Sequence, residues 1–442
     1  MLAPFRRPIL LVVALAAVLP RSAAAQAAVA PVASLDSAWA SIARAYFDTA
    51  LVQGAWRGTY DSLRRTVADA DDAQVRSAIR QLIAVPGKSH FALIPAAAAP
   101  PPSAARPSGR PGTTGIDVRA VGDTLFIWRV EAGSPAQRAG VRAGSVITRI
   151  DTVAVDTVRA RMKLAFPNDP RQRRLLLAAY AKNRLSGNVG DTVRFTVRAP
   201  RARRESRHAL ALSPLDGRST QFGNLPPMLV RTTRDSVSVR AASGRQMVPV
   251  IGLSAWFPVV SGELDAHLFA VRGAPALIID LRGNPGGVVG MVAGISGHFL
   301  DSTPSLGTMF ARGATLTMRA NPRRVNSASE RVGVFTGPIA IIVDEFSAST
   351  SEFFAAGMQG LGRARVFGAT SAGMALPALM TRLPNGDVLM HPIADHLDAA
   401  GRHVEGIGVV PDEATPLTRR DLVAGRDAAL EAARAWLART IP

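Results

Sequence analysis

The sequence predicts an α/β protein, and two strand-turn-helix stretches are the main basis of this prediction. Apolar, largely β-branched residues run from Pro338 to Val343, stop at a turn of small residues, and lead into good helix formers that end near Gly362. The same order recurs between Ala276 and Leu300, where ALIIDL precedes a glycine-rich turn and an apolar helix. Buried strands that alternate with helices are typical of α/β folds.

The N-terminal part of the chain predicts a small helical segment, which we place at residues 26–95. Apolar residues recur at helical spacing from Leu35 to Phe47, and a second amphipathic run spans Asp71 to Ile83. The segment ends in a turn that contains Ser89 and His90, followed by a short apolar run.

Residues 1–25 have the three parts of a secretory signal peptide: a basic start, an apolar core, and small residues before Ala25. We therefore expect cleavage after Ala25 and an exported protein, periplasmic or secreted. No later stretch approaches the roughly 18 uninterrupted apolar residues that a membrane-spanning helix needs. A transmembrane anchor is not expected once the signal is removed.

The composition excludes some chemistry. The chain has no cysteine, so neither a disulfide nor a catalytic thiol is available. Its formal net charge is +19, and almost all of the positive charge comes from arginine, because lysine occurs only at Lys88, Lys163 and Lys182. The arginines are dispersed and form no basic stripe with interleaved aromatic residues, so a nucleic-acid partner is not expected.

The middle of the chain divides at a low-complexity stretch. Residues 96–112, rich in Pro, Ala and Ser, predict a linker, and residues 113–198 form the next unit. Its GSPA, AGV and VITRI stretches, in that order, resemble a PDZ domain, which implies a module that recruits substrates or partners by an extended C-terminal peptide. A basic connecting segment is predicted at 199–243, and 244–442 form the last unit, which closes with a helix from Arg420 to Arg439.

Ser349 is the candidate nucleophile because the pattern places it at the start of a helix that follows a buried strand. Free backbone N–H groups and the positive end of the helix dipole meet there, so an oxyanion that forms beside its hydroxyl is stabilised. The loop from Gly283 to Gly287 can contribute a further N–H group, since glycine lets the backbone approach a ligand closely. This combination suits acyl transfer.

Three polar neighbours of Ser349 have simpler explanations. Ser347 and Ser351 are expected to be turn and cap residues, since such positions favour serine. Glu352 is expected to act as a first-turn acid that complements the helix dipole.

Three motifs follow the PDZ-like unit in order, IDLRGNPGG, SASTSE and GRHVEGIGVVPD, and together they resemble the tail-specific, or C-terminal processing, serine peptidases of the S41 type. The resemblance implies a crotonase/ClpP-like β-β-α catalytic core without a cofactor or metal. It also implies that Ser349 is the nucleophile and that the N–H of Thr350, with that of Gly286 or Gly287, forms the oxyanion hole.

The sequence lacks the catalytic base that is usual in these peptidases. The position of the usual catalytic lysine falls on Met374, and no lysine follows Lys182. The turn around Ser89-His90 resembles instead the tricorn branch of the superfamily, whose tetrad falls on Ser89, His90, Ser349 and Glu405. The resemblance implies that His90 is the general base and that Ser89 and Glu405 orient it, which is coherent because imidazole titrates near neutral pH.

The predicted function is that of an exported serine endopeptidase acting on proteins or peptides. Two alternatives remain open: a binding protein that kept the fold and lost catalysis, as Met374 suggests, and an adaptor that works through the PDZ-like unit. The separation of His90 and Ser349 in the folded chain discriminates between the enzyme and the binding protein.

Overall fold

The computed structural model describes residues 31–96, 110–222, 228–326 and 329–441. The predicted signal peptide and most of the predicted Pro/Ala-rich linker therefore lie outside the described residues. None of the helices in the described ranges is both long enough and apolar enough to cross a membrane.

Four helices and a short strand form the N-terminal unit: α1 (Val32–Ala45), α2 (Thr49–Gln53), α3 (Ala55–Thr66), α4 (Asp72–Ala84) and β1 (Ala92–Ile94). These elements lie in the part of the chain for which the sequence predicts a helical segment. The helices enclose the side chain of Trp56, whose Nε1–H donates to the Leu82 carbonyl at 2.7 Å. Asp71 starts α4 because its carboxylate accepts from the N–H of Gln74, while the Gln74 amide oxygen accepts from the N–H of Asp71.

A twisted antiparallel sheet forms the central unit, with the strand order β3-β4-β5-β8-β9 and β6 beside β5; β2, β7 and β10 make a small separate sheet. The elements are β2 (Pro111–Thr113), β3 (Ile116–Val121), β4 (Thr124–Val130), α5 (Pro135–Arg138), β5 (Val146–Ile150), β6 (Val153–Ala154), α6 (Val155–Ala165), α7 (Pro170–Arg184), β7 (Ser186–Asn188), β8 (Thr192–Arg198), β9 (Ser206–Ala211) and β10 (Ser213–Pro214). The buried side of the sheet packs against Leu177 and Ala181 of α7 and against Leu185, which directly follows this helix.

The prediction of a connecting segment at 199–243 is wrong for much of its length. Besides β9 and β10, it contains β11 (Arg218–Thr220), β12 (Met228–Val230) and β13 (Thr232–Ala241). Apart from β12, which is wholly apolar, these strands carry mainly polar or charged residues on their exposed side, and few apolar residues, such as Leu210 and Val239, on their buried side. The backbone hydrogen bonds of β9 and β13 are made by pairing with β8 and with the strand that follows β13. The many charged residues hide this strand pattern in the sequence.

A six-stranded sheet organises the last unit. Its elements are β14 (Gly244–Leu253), α8 (Ser261–Ala270), β15 (Leu277–Asp280), α9 (Met291–Ser296), β16 (Ser305–Ala311), β17 (Ala314–Arg319), β18 (Ile339–Val343), α10 (Thr350–Gly360), β19 (Arg365–Gly368), β20 (Ala378–Arg382), β21 (Val388–Pro392), β22 (Ala394–Asp398), β23 (Glu413–Ala414), α11 (Arg419–Ala424) and α12 (Ala428–Thr440). The strand order is β13-β14-β15-β18-β19-β23, and every pair is parallel except β13 with β14.

Both faces of this sheet are covered, as a parallel sheet requires. All five residues of β18 are buried. Ile339, Ile341 and Val343 belong to the core that contains the α10 side chains, while Ala340 and Ile342 face the α12 side. The predicted single C-terminal helix is two helices, because Gly425 ends α11 with a φ of 66° and Asp427 caps the start of α12.

Two small sheets attach the outlying segments to the core. One has the order β17-β16-β22. In the other, β1 of the N-terminal unit pairs antiparallel with β21, with Leu93 opposite Leu389, and β20 follows β21. The turn that carries Ser89 and His90 directly precedes β1, so this pairing holds that turn against the last unit.

Candidate active site

The candidate nucleophile Ser349 lies in a tight turn between β18 and α10. Its backbone has φ 53° and ψ −118°, a conformation that residues with a side chain rarely adopt and that is held only where the surroundings enforce it. Its N–H donates to the Met374 carbonyl at 2.9 Å and to Oε2 of Glu352 at 3.0 Å. The turn therefore places the Ser349 hydroxyl at the N-terminus of α10.

The glycine-rich loop after β15 is bonded directly to this turn. The Ala348 N–H and the Ser351 hydroxyl both donate to the Asn284 carbonyl, at 3.0 and 3.1 Å. The Ser347 hydroxyl donates to the carbonyl of Leu281 at 2.8 Å. Ser347 and Ser351 thus do more than shape their own turn, because they join the two strand-turn-helix units into one frame.

Gly286 lies against Ser349 and Gly287 lies against Trp256, and a side chain would not fit at either position. A Cβ on Gly286 would lie 2.6 Å from the Cβ of Ser349, and one on Gly287 would lie 2.2 Å from the Trp256 carbonyl oxygen. Their φ angles are 97° and 146°, which glycine tolerates and other residues rarely adopt.

The backbone hydrogen bonds distinguish the two glycines. The N–H of Gly286 is already used, since it donates to Oδ1 of Asn284 at 2.9 Å. The N–H groups of Gly287 and Thr350 have no acceptor in the described parts of the chain. Of the two glycines named by the sequence, Gly287 is therefore the one with a donor available for an oxyanion.

His90 lies beside Ser349, and Ser89 and Glu405 lie behind it. Nε2 of His90 is 3.2 Å from Oγ of Ser349, and its Nδ1 is 2.7 Å from Oγ of Ser89. Glu405 accepts from both the hydroxyl and the N–H of Ser89, at 2.8 and 2.9 Å, and from the N–H of Ala375 at 2.9 Å. The four residues that the resemblance named form one hydrogen-bonded chain.

These contacts imply which nitrogen of His90 carries the proton. The Ser89 hydroxyl has one hydrogen, and the Glu405 carboxylate can only accept, so Ser89 donates to Glu405. Ser89 Oγ must then accept from His90, which puts the ring proton on Nδ1. Nε2 is left with a free lone pair towards the Ser349 hydroxyl, which is the arrangement that a general base needs.

Burial sets the charge state of the His90 ring. Desolvation lowers the pKa of His90 below its ordinary value near 6.5, and the negative charge of Glu405 acts in the opposite direction. The ring is therefore neutral at neutral pH.

Glu352 has a role that the sequence did not suggest. Its fully buried carboxylate accepts from the Ser371 hydroxyl and the N–H groups of Gly373, Met374 and Ser349, at 2.5 to 3.0 Å. Burial raises the pKa of Glu352, although these four donors act against the increase. Glu352 thus holds the loop behind the nucleophile, and its position three residues after Ser349 is the only signal in the sequence.

Asp344 also was not identified from the sequence. One of its carboxylate oxygens accepts from the N–H groups of Gly283 and Phe346, at 2.9 and 3.0 Å, and the other accepts from Nε of Arg119 in β3 at 3.0 Å. It therefore links the glycine-rich loop, the nucleophile turn and the central unit. Its place at the end of β18 was visible in the sequence, but its partners were not.

Comparison with known proteins finds similar sequences over the last unit and part of the central unit. Residues 250–415 match the model of peptidase family S41. The chain is 23% identical over 308 residues to the carboxyl-terminal-processing protease of Picosynechococcus sp., and 22% identical over 302 residues to the Staphylococcus aureus protein named "Probable CtpA-like serine protease". The matches cover 68% and 67% of this chain, but 63% and 51% of those relatives, so the chain spans less than two thirds of their length.

Solved structures agree at the level of the fold. The photosystem II D1 C-terminal processing protease aligns with a TM-score of 0.57 at 20% identity, covering 94% of this chain and all of that one. Mature CPAF complexed with lactacystin also aligns with a TM-score of 0.57, at 12% identity, over 93% of this chain and 97% of that one. The chain therefore has a mixed α/β fold similar to these proteases, and its residues 250–415 match the model of peptidase family S41.

Proposed function

We propose that this protein is a serine endopeptidase that cleaves proteins or peptides through an acyl-enzyme on Ser349, with His90 as general base. The observation that carries the proposal is the hydrogen-bonded chain from Glu405 through Ser89 and His90 to Ser349. An isolated serine is a poor nucleophile, and a positioned base is the usual means of activating it. The matched relatives named as processing and serine proteases support the same reaction class.

The proposed reaction uses the hydrogen-bonded residues of the site in turn. Nε2 of His90 takes the Ser349 proton as Oγ forms a bond to the scissile carbonyl carbon. The N–H groups of Gly287 and Thr350 stabilise the negative oxygen of the tetrahedral intermediate. The C–N bond then breaks, His90 returns the proton to the departing amine, and water repeats the sequence to release the acyl group. Ser89 and Glu405 stabilise the imidazolium that exists between the two proton transfers.

The other parts of the proposal rest on the sequence resemblance. The pattern of residues 1–25, which is typical of a signal peptide, supports export, and the PDZ-like pattern of residues 113–198 supports recruitment of substrates by their C-termini. The crotonase-like character of the last unit and the tricorn-like character of the tetrad belong to the same proposal.

A binding protein without catalysis is the second candidate, because Met374 occupies the position of the family lysine. The 3.2 Å separation of His90 and Ser349 supports the enzyme instead. In an adaptor that acts through the PDZ-like unit, peptide binding would be unaffected by changes at Ser349.

Covalent labelling with a fluorophosphonate probe tests the proposal without a known substrate. We expect the purified protein to be labelled at Ser349, as mapped by mass spectrometry, and both Ser349→Ala and His90→Gln to abolish labelling. His403→Gln is the matched control, because His403 is exposed and lies outside the hydrogen-bonded chain. Absence of label on the folded wild-type protein would favour the binding protein.

A further inference from the structure

The exposed side of the β8–β9 hairpin is unusually rich in arginine. Six arginines occur between residues 194 and 207, all of them exposed, and Glu205 is the only acidic residue among them. A seventh exposed arginine is on the neighbouring strand β5. We call these seven residues the arginine face: Arg149, Arg194, Arg198, Arg201, Arg203, Arg204 and Arg207.

Strand alternation and register gather the strand members of this set on one side of the sheet. Val193, Phe195 and Val197 of β8 are buried in the central core, so Arg194 and Arg198 point away from it. Thr196 lies opposite Arg149 on β5 and Arg207 on β9, so three adjacent strands contribute arginine to the same side. The remaining three arginines lie in the turn that joins β8 to β9.

No carboxylate neutralises this face in the described parts of the chain. None of the seven arginines forms an ion pair there, and the Arg149 guanidinium donates to a backbone carbonyl, that of Thr152. The nearby acids are engaged elsewhere: Asp151 pairs with Arg184 at 3.8 Å, and Asp191 accepts from the N–H of Asn188. Glu205 adds one negative charge beside the seven arginines, so the surface is predominantly positive and attracts anions over a range set by the salt concentration.

The shape of the face indicates the kind of anion. The side chains between the arginines are small, as at Thr192, Ala209 and Ala211, so the guanidinium groups project from a sheet surface and not from a cleft. The ring of Phe195 lies on the opposite, buried side, so this strand offers no aromatic group for stacking on nucleic-acid bases. A planar array of phosphates complements such a surface, and guanidinium binds phosphate through paired hydrogen bonds.

We propose that the arginine face binds the surface of a bilayer that contains anionic phospholipid. The inference is independent of the proposed peptidase activity, since the face uses no residue of the site around Ser349. Its role would be to hold the protein at a membrane surface by electrostatic attraction alone.

Vesicle co-sedimentation of the full chain tests this proposal. We expect binding to phosphatidylcholine vesicles that contain about one third phosphatidylglycerol, loss of that binding at about 0.5 M NaCl, and little binding to phosphatidylcholine alone. Neutral vesicles measure any attachment through apolar segments. A variant with Arg194→Gln, Arg198→Gln, Arg203→Gln and Arg207→Gln should lose about 600-fold in apparent affinity, at about fivefold per arginine.

The matched control removes the same charge elsewhere, through Arg65→Gln, Arg80→Gln, Arg420→Gln and Arg439→Gln. These four arginines are also exposed and form no ion pair with a described residue. Equal losses in the two variants would show that net charge suffices and would overturn the proposal. So would equal binding to neutral vesicles, or tighter binding to duplex DNA than to anionic vesicles at the same phosphate concentration. An unchanged melting temperature of the first variant confirms that its fold is intact.

Discussion

Nε2 of His90 lies 3.2 Å from Oγ of Ser349, although 259 residues separate them in the chain. His90 itself has a positive φ of 61°, and so does Ser349, at 53°. Two residues in costly backbone conformations meet at one point, where each is held by bonds from other segments. Strain of this kind persists only where the surrounding structure enforces it, and it is concentrated at functional sites.

Ser89 and Glu405, which are hydrogen-bonded in series behind His90, should act as a unit. Ser89→Ala removes the group that accepts from Nδ1, and Glu405→Gln removes the negative charge behind it. We expect each to lower the labelling rate at Ser349 by roughly ten- to a hundredfold, because the ring loses its orientation and its tautomer preference. The double variant should be little slower than the worse single variant. Multiplicative losses, measured in the same assay, would mean that the two residues act independently.

The pH dependence should report His90. Burial lowers the pKa of His90 below its ordinary value, and the neutral ring is the form that accepts the Ser349 proton. The labelling rate should therefore be constant above neutral pH and fall on acidification, with a midpoint below 6.5. The rate of fluorophosphonate labelling across pH measures this directly. A midpoint well above 7 would point to another base.

Gly287 should be far more sensitive to a side chain than a nearby glycine. Gly287→Ala puts a Cβ against the Trp256 carbonyl and displaces the N–H group that we assign to the oxyanion hole. The rate of fluorophosphonate labelling at Ser349 should therefore fall by a factor of roughly 10² to 10³. Gly290→Ala is the control, since a Cβ there meets nothing within 4 Å and its φ is −58°. Similar labelling rates of the two variants would contradict the assignment of Gly287 to the oxyanion hole.

Glu352 should prove to be a structural anchor of the site. In Glu352→Gln an amide group replaces an oxygen that faces only donors, so the free energy of unfolding should fall by about 2 to 4 kcal/mol in urea titrations. Glu263→Gln, a change of an exposed first-turn acid in α8, should have no measurable effect. If the two variants are equally stable, the simpler explanation through the helix dipole is sufficient.

Met374 should contribute to the candidate active site through its backbone and not through its side chain. Its carbonyl accepts from the Ser349 N–H, and its side chain is partly exposed at 37%. Met374→Leu should therefore label at Ser349 at a rate within about threefold of the wild type, since the change conserves volume and apolar character. A hundredfold loss without a change in melting temperature would give the side chain a part in the chemistry.

Most of the local structure could be predicted from the sequence. The strand before Ser349, the helix after it and the paired unit around Gly286 are encoded by apolar periodicity and small turn residues that are neighbours in the chain. The strand β9 was missed because the arginine-rich turn before it resembles a linker and only the pairing of β9 with β8 reveals the strand. The break at Gly425 was missed because residues that favour helix formation flank it on both sides.

The sequence by itself determined the candidate residues Ser349, His90, Ser89 and Glu405, because each lies in a short motif whose meaning depends on adjacent residues. Only the tertiary structure decided that they meet, that Gly287 and not Gly286 has a free N–H, and that Glu352 and Asp344 hold the site together. Hydrogen-bond partners depend on which distant segments pack together, as when β1 pairs with β21, and no local pattern records that choice.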